Sequence, residues 1–244
     1  MTRQVAKDKE EASAVEYFGE QADRWQGLYA LKPAFRDRLD LFVGSLLRLA
    51  PPPGRVLDFG CGPGVVSLAL AAQGYEVLGV DGSQRMIDQA ETQRARRGLT
   101  NAGFRLMPAE AFDVPEASVD AVVSSSVLQY VADDARLLAG FTSALKPGGW
   151  LLISVPHAGS VVGWLEAGLH RLPAVRRREG RGFLDHSRRL YAKRPFLAAL
   201  ERLGFGDFEC THFEVPVLGR WGIRLSRLSR VGVMLLVAGR KRPS

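Results

Sequence analysis

The stretch VLDFGCGPG, residues 56–64, decides how this chain is read. An apolar run from Val56 to Phe59 carries one acid, Asp58, and enters three alternating glycines, Gly60, Gly62 and Gly64. A helical pattern begins directly afterwards. Glycine permits tight dihedrals and lets a ligand approach the backbone closely. In an open parallel sheet this turn lies at the carboxyl end of a strand, where ligands bind. The spacing then separates the ligands. The string lacks the Gly-x-x-x-x-Gly-Lys-Ser/Thr loop that cradles a triphosphate. It also departs from the Gly-x-Gly-x-x-Gly of dinucleotide sites, which disfavours a dehydrogenase. A carboxylate at Asp58 would repel a pyrophosphate and could face a cationic ligand.

Working outward, strands and helices alternate. RVLDFG (55–60) reads as a buried strand and 64–74 as a helix ending near Gly74. A second strand, 75–81, ends in Asp81 and Gly82, and a helix over 83–98 follows, with Ser83 as its cap. Further strands are read at 104–109, 118–126 and 150–156, with a helix at 133–145 and a KPGG turn before the fifth strand. Strands apolar along their whole length imply a parallel sheet covered on both faces. Upstream, 14–49 is helical, with Pro33 separating or kinking two helices. Downstream, one amphipathic helix is expected over 160–172 and another over 192–206, with Gly204 near its C-cap. Strands at 208–213 and 231–239 complete the pattern as a C-terminal pair with an antiparallel edge.

The bulk numbers set outer bounds. The chain has 244 residues, 46% hydrophobic and 24% charged, so it holds one domain with a real core rather than a disordered tract. Its two cysteines, Cys61 and Cys210, are too few for a disulfide scaffold and point to a reducing, cytoplasmic setting. The N-terminal residues read as no secretory signal, and no apolar run approaches the roughly 20 residues of a membrane span. The net charge of +7 is uneven. Residues 1–150 hold 16 basic and 19 acidic residues, and residues 151–244 hold 17 and 7. A basic half suits nucleic acid, an anionic substrate or an acidic membrane, and is also what a solvated arginine face looks like.

With these landmarks quoted, the chain resembles the class I S-adenosylmethionine-dependent methyltransferases, of the small-molecule kind related to quinone-biosynthesis methyltransferases. VLDFGCGPG matches the family's first cofactor motif, and VLGVDGSQRMIDQA its ribose-binding strand and following helix. SSVLQYVAD after the fourth strand and LKPGG before the fifth match the remaining landmarks. The resemblance implies a doubly wound, seven-stranded, mostly parallel α/β sheet of order 3-2-1-4-5-7-6, with an N-terminal helical lid and an insertion after strand 5. The whole of 1–244 is then one methyltransferase domain: a helical cap (14–49), a cofactor core (55–156), a substrate cap (157–190) and a C-terminal helix with a strand pair (191–240). It implies S-adenosylmethionine as cofactor. Gly60 and Gly62 would line its methionine part, with Cys61 a small filler between them, and Asp58 would orient its amino group. Asp81 would bind the ribose hydroxyls, Gly82 and Met86 would border the adenine, and Ala109 and Glu110 would lie on its far side. Ser125 would lie near the methionine part. Tyr17 and Trp25, on the lid, belong with the cofactor residues, and Tyr29 with the acceptor.

Methyl transfer from a sulfonium asks little of a protein beyond alignment, exclusion of water and the handling of one proton. The base candidates are His157, directly after the fifth strand, then His186, and Tyr130 after the fourth. His170 and His212 read as structural. No HxxxH or clustered Cys/His pattern calls for a metal. The acceptor wall draws on Tyr29, Gln129, Trp164, Phe183 and Arg188, a mixture that favours an aromatic or isoprenoid-like acceptor. Oxygen is the leading methyl recipient. The alternatives are carbon methylation of a quinone-like ring, RNA modification through the basic half, and a non-catalytic cofactor-binding protein. Arginines at 171–189 could hold an anionic acceptor, and WGIRLSRLSRVG (221–232) resembles a basic amphipathic segment for peripheral contact with an anionic membrane. A monomer or homodimer is expected.

Overall fold

A computed structural model describes residues 15–22, 25, 27, 29, 32–160, 189–213 and 232–243. Residues 15–20 form a helical segment. Helix α1 follows at Pro33–Leu49, with Pro33 in its first turn, where a missing N–H costs nothing. The core then alternates: β1 (Arg55–Phe59), α2 (Val65–Ala72), β2 (Glu76–Asp81), α3 (Gln84–Arg97), β3 (Ala102–Leu106), β4 (Val119–Ser125), α4 (Asp134–Ala144) and β5 (Leu145–Pro156). Helix α5 (Lys193–Arg202), β6 (Phe205–Phe213) and β7 (Met234–Lys241) complete it.

The seven strands form one sheet in the order β3-β2-β1-β4-β5-β7-β6, as the sequence implied. Strands β1 to β5 pair in parallel, and β7 runs antiparallel between β5 and β6. Each face has its own core. Phe42 and Leu46 of α1 with Val66, Leu68 and Leu70 of α2 cover one face. Leu137, Leu138 and Phe141 of α4 with Phe196 and Leu200 of α5 cover the other. Each such buried side chain contributes about 2 kcal/mol. The strand order reverses between β1 and β4, so their carboxyl ends flank the crevice where ligands bind in open α/β sheets.

Four boundaries differ from expectation. Strand β3 ends at Leu106 rather than 109, because Pro108 has no N–H to continue the ladder. Ala109 and Glu110 therefore sit on a 3-10 turn, Ala109–Ala111, rather than at a strand end. The KPGG segment is not a turn ahead of β5 but an irregularity within it. Leu145 pairs Val119 and the register resumes at Trp150 opposite Ala121. Helix α5 stops at Arg202, because Gly204 at φ +89 turns the chain into β6 three residues earlier than expected. Strand β7 begins at Met234 and reaches Lys241, displaced from the expected 231–239. The helix expected over 160–172 lies outside the described residues.

Candidate functional site

The chain leaves β1 through Gly60, Gly62 and Gly64, all left-handed, at φ +73, +53 and +78. Gly60 and Cys61 donate their N–H groups to Val80 O at 2.8 and 2.9 Å, which pins the turn against β2. The glycines have different reasons. A Cβ on Gly60 would lie 2.2 Å from Val127 Cγ2, so this position is needed for packing across the β1–β4 crevice. A Cβ on Gly62 would meet nothing nearer than Met86 Sδ at 3.9 Å. Space is therefore open beside Gly62, and buried Met86 lies next to it.

Two carboxylates frame that space. Asp58 is 1% exposed and accepts a 2.6 Å hydrogen bond from Ser67 Oγ. Burial pushes its carboxyl up to about 7, the Ser67 bond opposes the rise and the Asp81 charge adds to it. Asp81 accepts from Gly62 N and Ser83 N, each at 2.9 Å. Burial raises its carboxyl too, against the pull of these backbone donors. The Gly82 N–H also favours the charged carboxylate, and the two oxygens together keep lone-pair capacity for a ligand donor. Ser83 occupies the N-cap of α3 without a side-chain capping bond, and its own N–H donates to the Asp81 carboxylate. Burial holds the Cys61 thiol protonated, so it is a filler without nucleophilic character.

The helical segment 15–20 lies across this edge. Gly19 is buried against Ser83, where a Cβ would come within 2.6 Å of Oγ, and Val15 approaches Gly82. At its other side Phe18 packs edge-on against Tyr130, with ring centroids 5.0 Å apart. Tyr17 and Trp25 both contact Phe18, and Trp25 and Tyr29 contact Phe35. The segment thus spans from the end of β2 to the loop after β4. The 3-10 turn Leu128–Tyr130 holds Gln129 buried, with Nε2 donating to Ser126 O and Oε1 unpartnered. Ser125 Oγ is also buried without a partner. Ser126 stands at φ +60 and donates its N–H to Ser154 Oγ at 2.9 Å. A left-handed serine at a strand end marks the kind of local strain that collects at ligand sites.

Farther along the same rim, His157 directly follows the last residue of β5, Pro156. Its N–H donates to Val233 O at 2.8 Å. His157 bridges Tyr191, with Tyr191 N donating to Pro156 O and Ala158 N to Tyr191 O. The Tyr191 hydroxyl donates to Asp134 Oδ2 at 3.0 Å, and Arg189 forms an ion pair with the same carboxylate. These contacts tie the two ends of the segment 161–188 to each other and to the β4–α4 loop. Sequence reasoning missed Ser67, Phe18, Asp134 and Tyr191. Only Phe18 carried a legible signal, as one more aromatic in the lid pattern.

The structure thus brings Asp58, Gly60, Cys61, Gly62, Asp81, Gly82, Met86 and Ser125 to one rim of the sheet, with Tyr17 on the segment above it. Ala109 is half-buried and Glu110 exposed on the turn beyond β3. Gln129, Tyr130 and His157 mark the next part of the rim. His186, Trp164, Phe183 and Arg188 lie outside the described residues. Among the described residues no group of three His, Cys, Asp or Glu is arranged to hold a metal ion, and no helix is long and apolar enough to cross a membrane.

A family model described as a methyltransferase domain matches residues 57–153. A ubiquinone biosynthesis O-methyltransferase of Paracidovorax citrulli is 30% identical over 167 residues, covering 63% of this chain and 70% of that protein. The protein of the same name from Leptothrix cholodnii is 31% identical over 145 residues, covering 56% and 60%. The chain therefore spans between half and about two thirds of the curated relatives it matches. The fold matches magnesium protoporphyrin IX methyltransferase from Synechocystis, with TM-score 0.69 at 18% identity over 95% of this chain and 99% of that one.

The chain belongs to the class I S-adenosylmethionine-dependent methyltransferase family.

The rim of this methyltransferase fits the donor that the family uses. The open side of Gly62 leaves room for a ligand against the backbone. A buried carboxyl at Asp58, beside the charge of Asp81, is matched to an ammonium group. The buried, unpartnered Ser125 Oγ offers one more polar contact at the end of β4.

Proposed function

We propose that this protein transfers the methyl group of S-adenosylmethionine to a hydroxyl oxygen of a small aromatic, quinone-like acceptor. The observation that carries this reading is one continuous rim. A glycine-open, acidic edge at β1–β2 stands beside a histidine- and tyrosine-bearing edge at β4–β5. The names of the relatives support oxygen as the recipient.

In this reading Asp58 orients the donor's amino group, while Gly60, Cys61 and Gly62 line its methionine part with Ser125. Asp81 takes the ribose hydroxyls on its remaining lone pairs. Gly82, Met86, Ala109 and Glu110 border the adenine. Tyr17 and Trp25 belong to the covering segment, and Tyr29 and Gln129 face the acceptor. When bound, the donor supplies an electrophilic methyl on a sulfonium that is its own leaving group. The protein's task is to align the acceptor oxygen, exclude water and accept one proton. His157, directly after β5 on the same rim, is the proton acceptor, and burial with the nearby Lys193 charge lowers its pKa and so favours the neutral imidazole that can take a proton. Tyr130 helps place the acceptor. Two free cysteines support a cytoplasmic setting.

The test incubates the full chain with S-adenosylmethionine and catechol and follows the methyl ether and S-adenosylhomocysteine by mass spectrometry. Both products are expected. Absence of S-adenosylhomocysteine binding by calorimetry would refute the cofactor assignment. Binding without turnover would refute the acceptor class.

A further inference from the structure

A second histidine stands beside the first. His212 lies on β6 opposite Leu235 of β7, and His157 follows Pro156, which pairs Met234. The two rings meet edge to face with centroids 4.7 Å apart and planes at 61°. His157 Nδ1 and His212 Nε2 are both buried and both without a hydrogen-bond partner. Two orphaned imidazole nitrogens at one contact are unusual, because buried polar atoms nearly always find partners. One nitrogen carrying a proton and the other a lone pair would satisfy each other after a modest ring rotation.

We propose that His157 and His212 act as one proton-accepting unit, with His157 Nε2 facing the acceptor and His212 the positioning residue that receives the His157 Nδ1–H. The proposal rests on the methyl-transfer reading above. A neutral imidazole has one protonated nitrogen and one lone pair, and the hydrogen bond at one nitrogen sets which form exists. With Nδ1–H directed at His212 Nε2, the lone pair of His157 stays on Nε2. In the reaction the acceptor oxygen forms a bond to the methyl carbon while the carbon–sulfur bond breaks and its electron pair returns to sulfur. The acceptor's proton passes to His157 Nε2 and later to solvent. His212 holds the resulting imidazolium through its Nδ1–H.

The surroundings favour this role over a metal site. Lys193 opens α5 beside the pair, hydrogen-bonded to the Cys210 thiol, and its charge opposes a second cation. Burial and the same charge lower both histidines, and each ring stands where a second positive charge is disfavoured. Among the described residues Lys193 from α5 is the charge that bears on both rings. Tyr191 meets His157 through its backbone, and Cys210 lies two residues from His212 on β6. The Asp134–Arg189 pair stands behind Tyr191.

The test records imidazole nitrogen chemical shifts of the full chain across pH, together with catechol kinetics. In the wild type His157 is expected in the Nδ1–H form at neutral pH. His212→Phe keeps a ring in place and removes its nitrogens. It is expected to shift His157 toward the Nε2–H form and to lower kcat about tenfold with KM unchanged. His212→Gln, whose carbonyl can accept the bond, is expected to restore part of kcat. Lys193→Met is expected to raise the His157 titration, moving the acid limb of kcat to higher pH. An unchanged His157 tautomer and acid limb in His212→Phe would overturn the pairing. The chemical shifts decide the pair even if catechol is not methylated, a result that would refute the acceptor class instead.

Discussion

The two ends of the sheet's ligand rim are built differently. At the β1–β2 edge the polar groups are satisfied by near neighbours in sequence. Ser67 meets Asp58, Ser83 meets Asp81, and Gly62 N reaches Asp81 nineteen residues on. At the β4–β5 edge the partners come from far away. Tyr191 bonds Asp134 across 57 residues, and His157 meets His212 from another strand. The first edge is a local motif that a sequence can carry intact. The second exists only once β5, β7 and β6 have paired. The β1–β2 end can thus stay fixed while the β4–β5 end is rebuilt.

The largest test of this contrast lies within the glycine loop. Gly60→Ala puts a Cβ 2.2 Å from Val127 in a left-handed conformation and is expected to cost about 3 kcal/mol or more of folding stability. Gly62→Ala has the strain without the collision and is expected to cost about 1 kcal/mol. It should also weaken S-adenosylhomocysteine binding by roughly tenfold. Denaturant unfolding and calorimetry together separate a glycine needed for packing from one needed for a ligand. Equal unfolding losses in both variants would erase that distinction.

Asp58 gives the next effect. Its folded pKa, about 7, stands above the ordinary 3.8, so the folded protein binds more protons than the unfolded chain between these values. Stability contributed by this group therefore falls as pH rises through that window. Asp58→Asn is expected to gain about 2 kcal/mol of stability near pH 8 while losing cofactor affinity. In the wild type an ammonium beside Asp58 favours the carboxylate, so cofactor binding near pH 7 should release a proton. Calorimetry in two buffers of different ionisation enthalpy reads that release directly.

A smaller effect is expected at the acceptor edge. Tyr191→Phe removes the hydroxyl that bonds Asp134 and is expected to cost about 1 kcal/mol with cofactor affinity unchanged. A loss of cofactor affinity in this variant would couple the two edges. Smallest is Glu209→Gln, which breaks the exposed pair with Arg48 and should cost less than about 0.5 kcal/mol by thermal unfolding.

The same contrast explains what was legible before the structure. The parallel core followed from the alternation of apolar runs with helices and the strand order from the family landmarks, and Asp58, Gly60, Gly62 and Asp81 lie together at one edge of the sheet. Strand ends were less legible. Pro108 cut β3 short, and the irregular pairing of Lys146 to Gly149 is set by the facing strand. The contact of His212 with His157 was silent in sequence, because the two lie 55 residues apart, one just after β5 and the other on β6. They meet only through the sheet. Asp134 and Tyr191 were silent for the same reason. The arginine-rich stretches at 171–188 and 220–230, which govern the charge asymmetry, lie outside the described residues.

The bridge between His157 and Tyr191 has a consequence for how such a protein can change. It holds the two ends of the stretch between Ser160 and Arg189 side by side through backbone hydrogen bonds, independent of what lies between. Because these bonds join main-chain atoms, the pairing of residues 156–158 with Tyr191 does not depend on the side chains at either anchor, and those side chains can change while the seven strands keep their register.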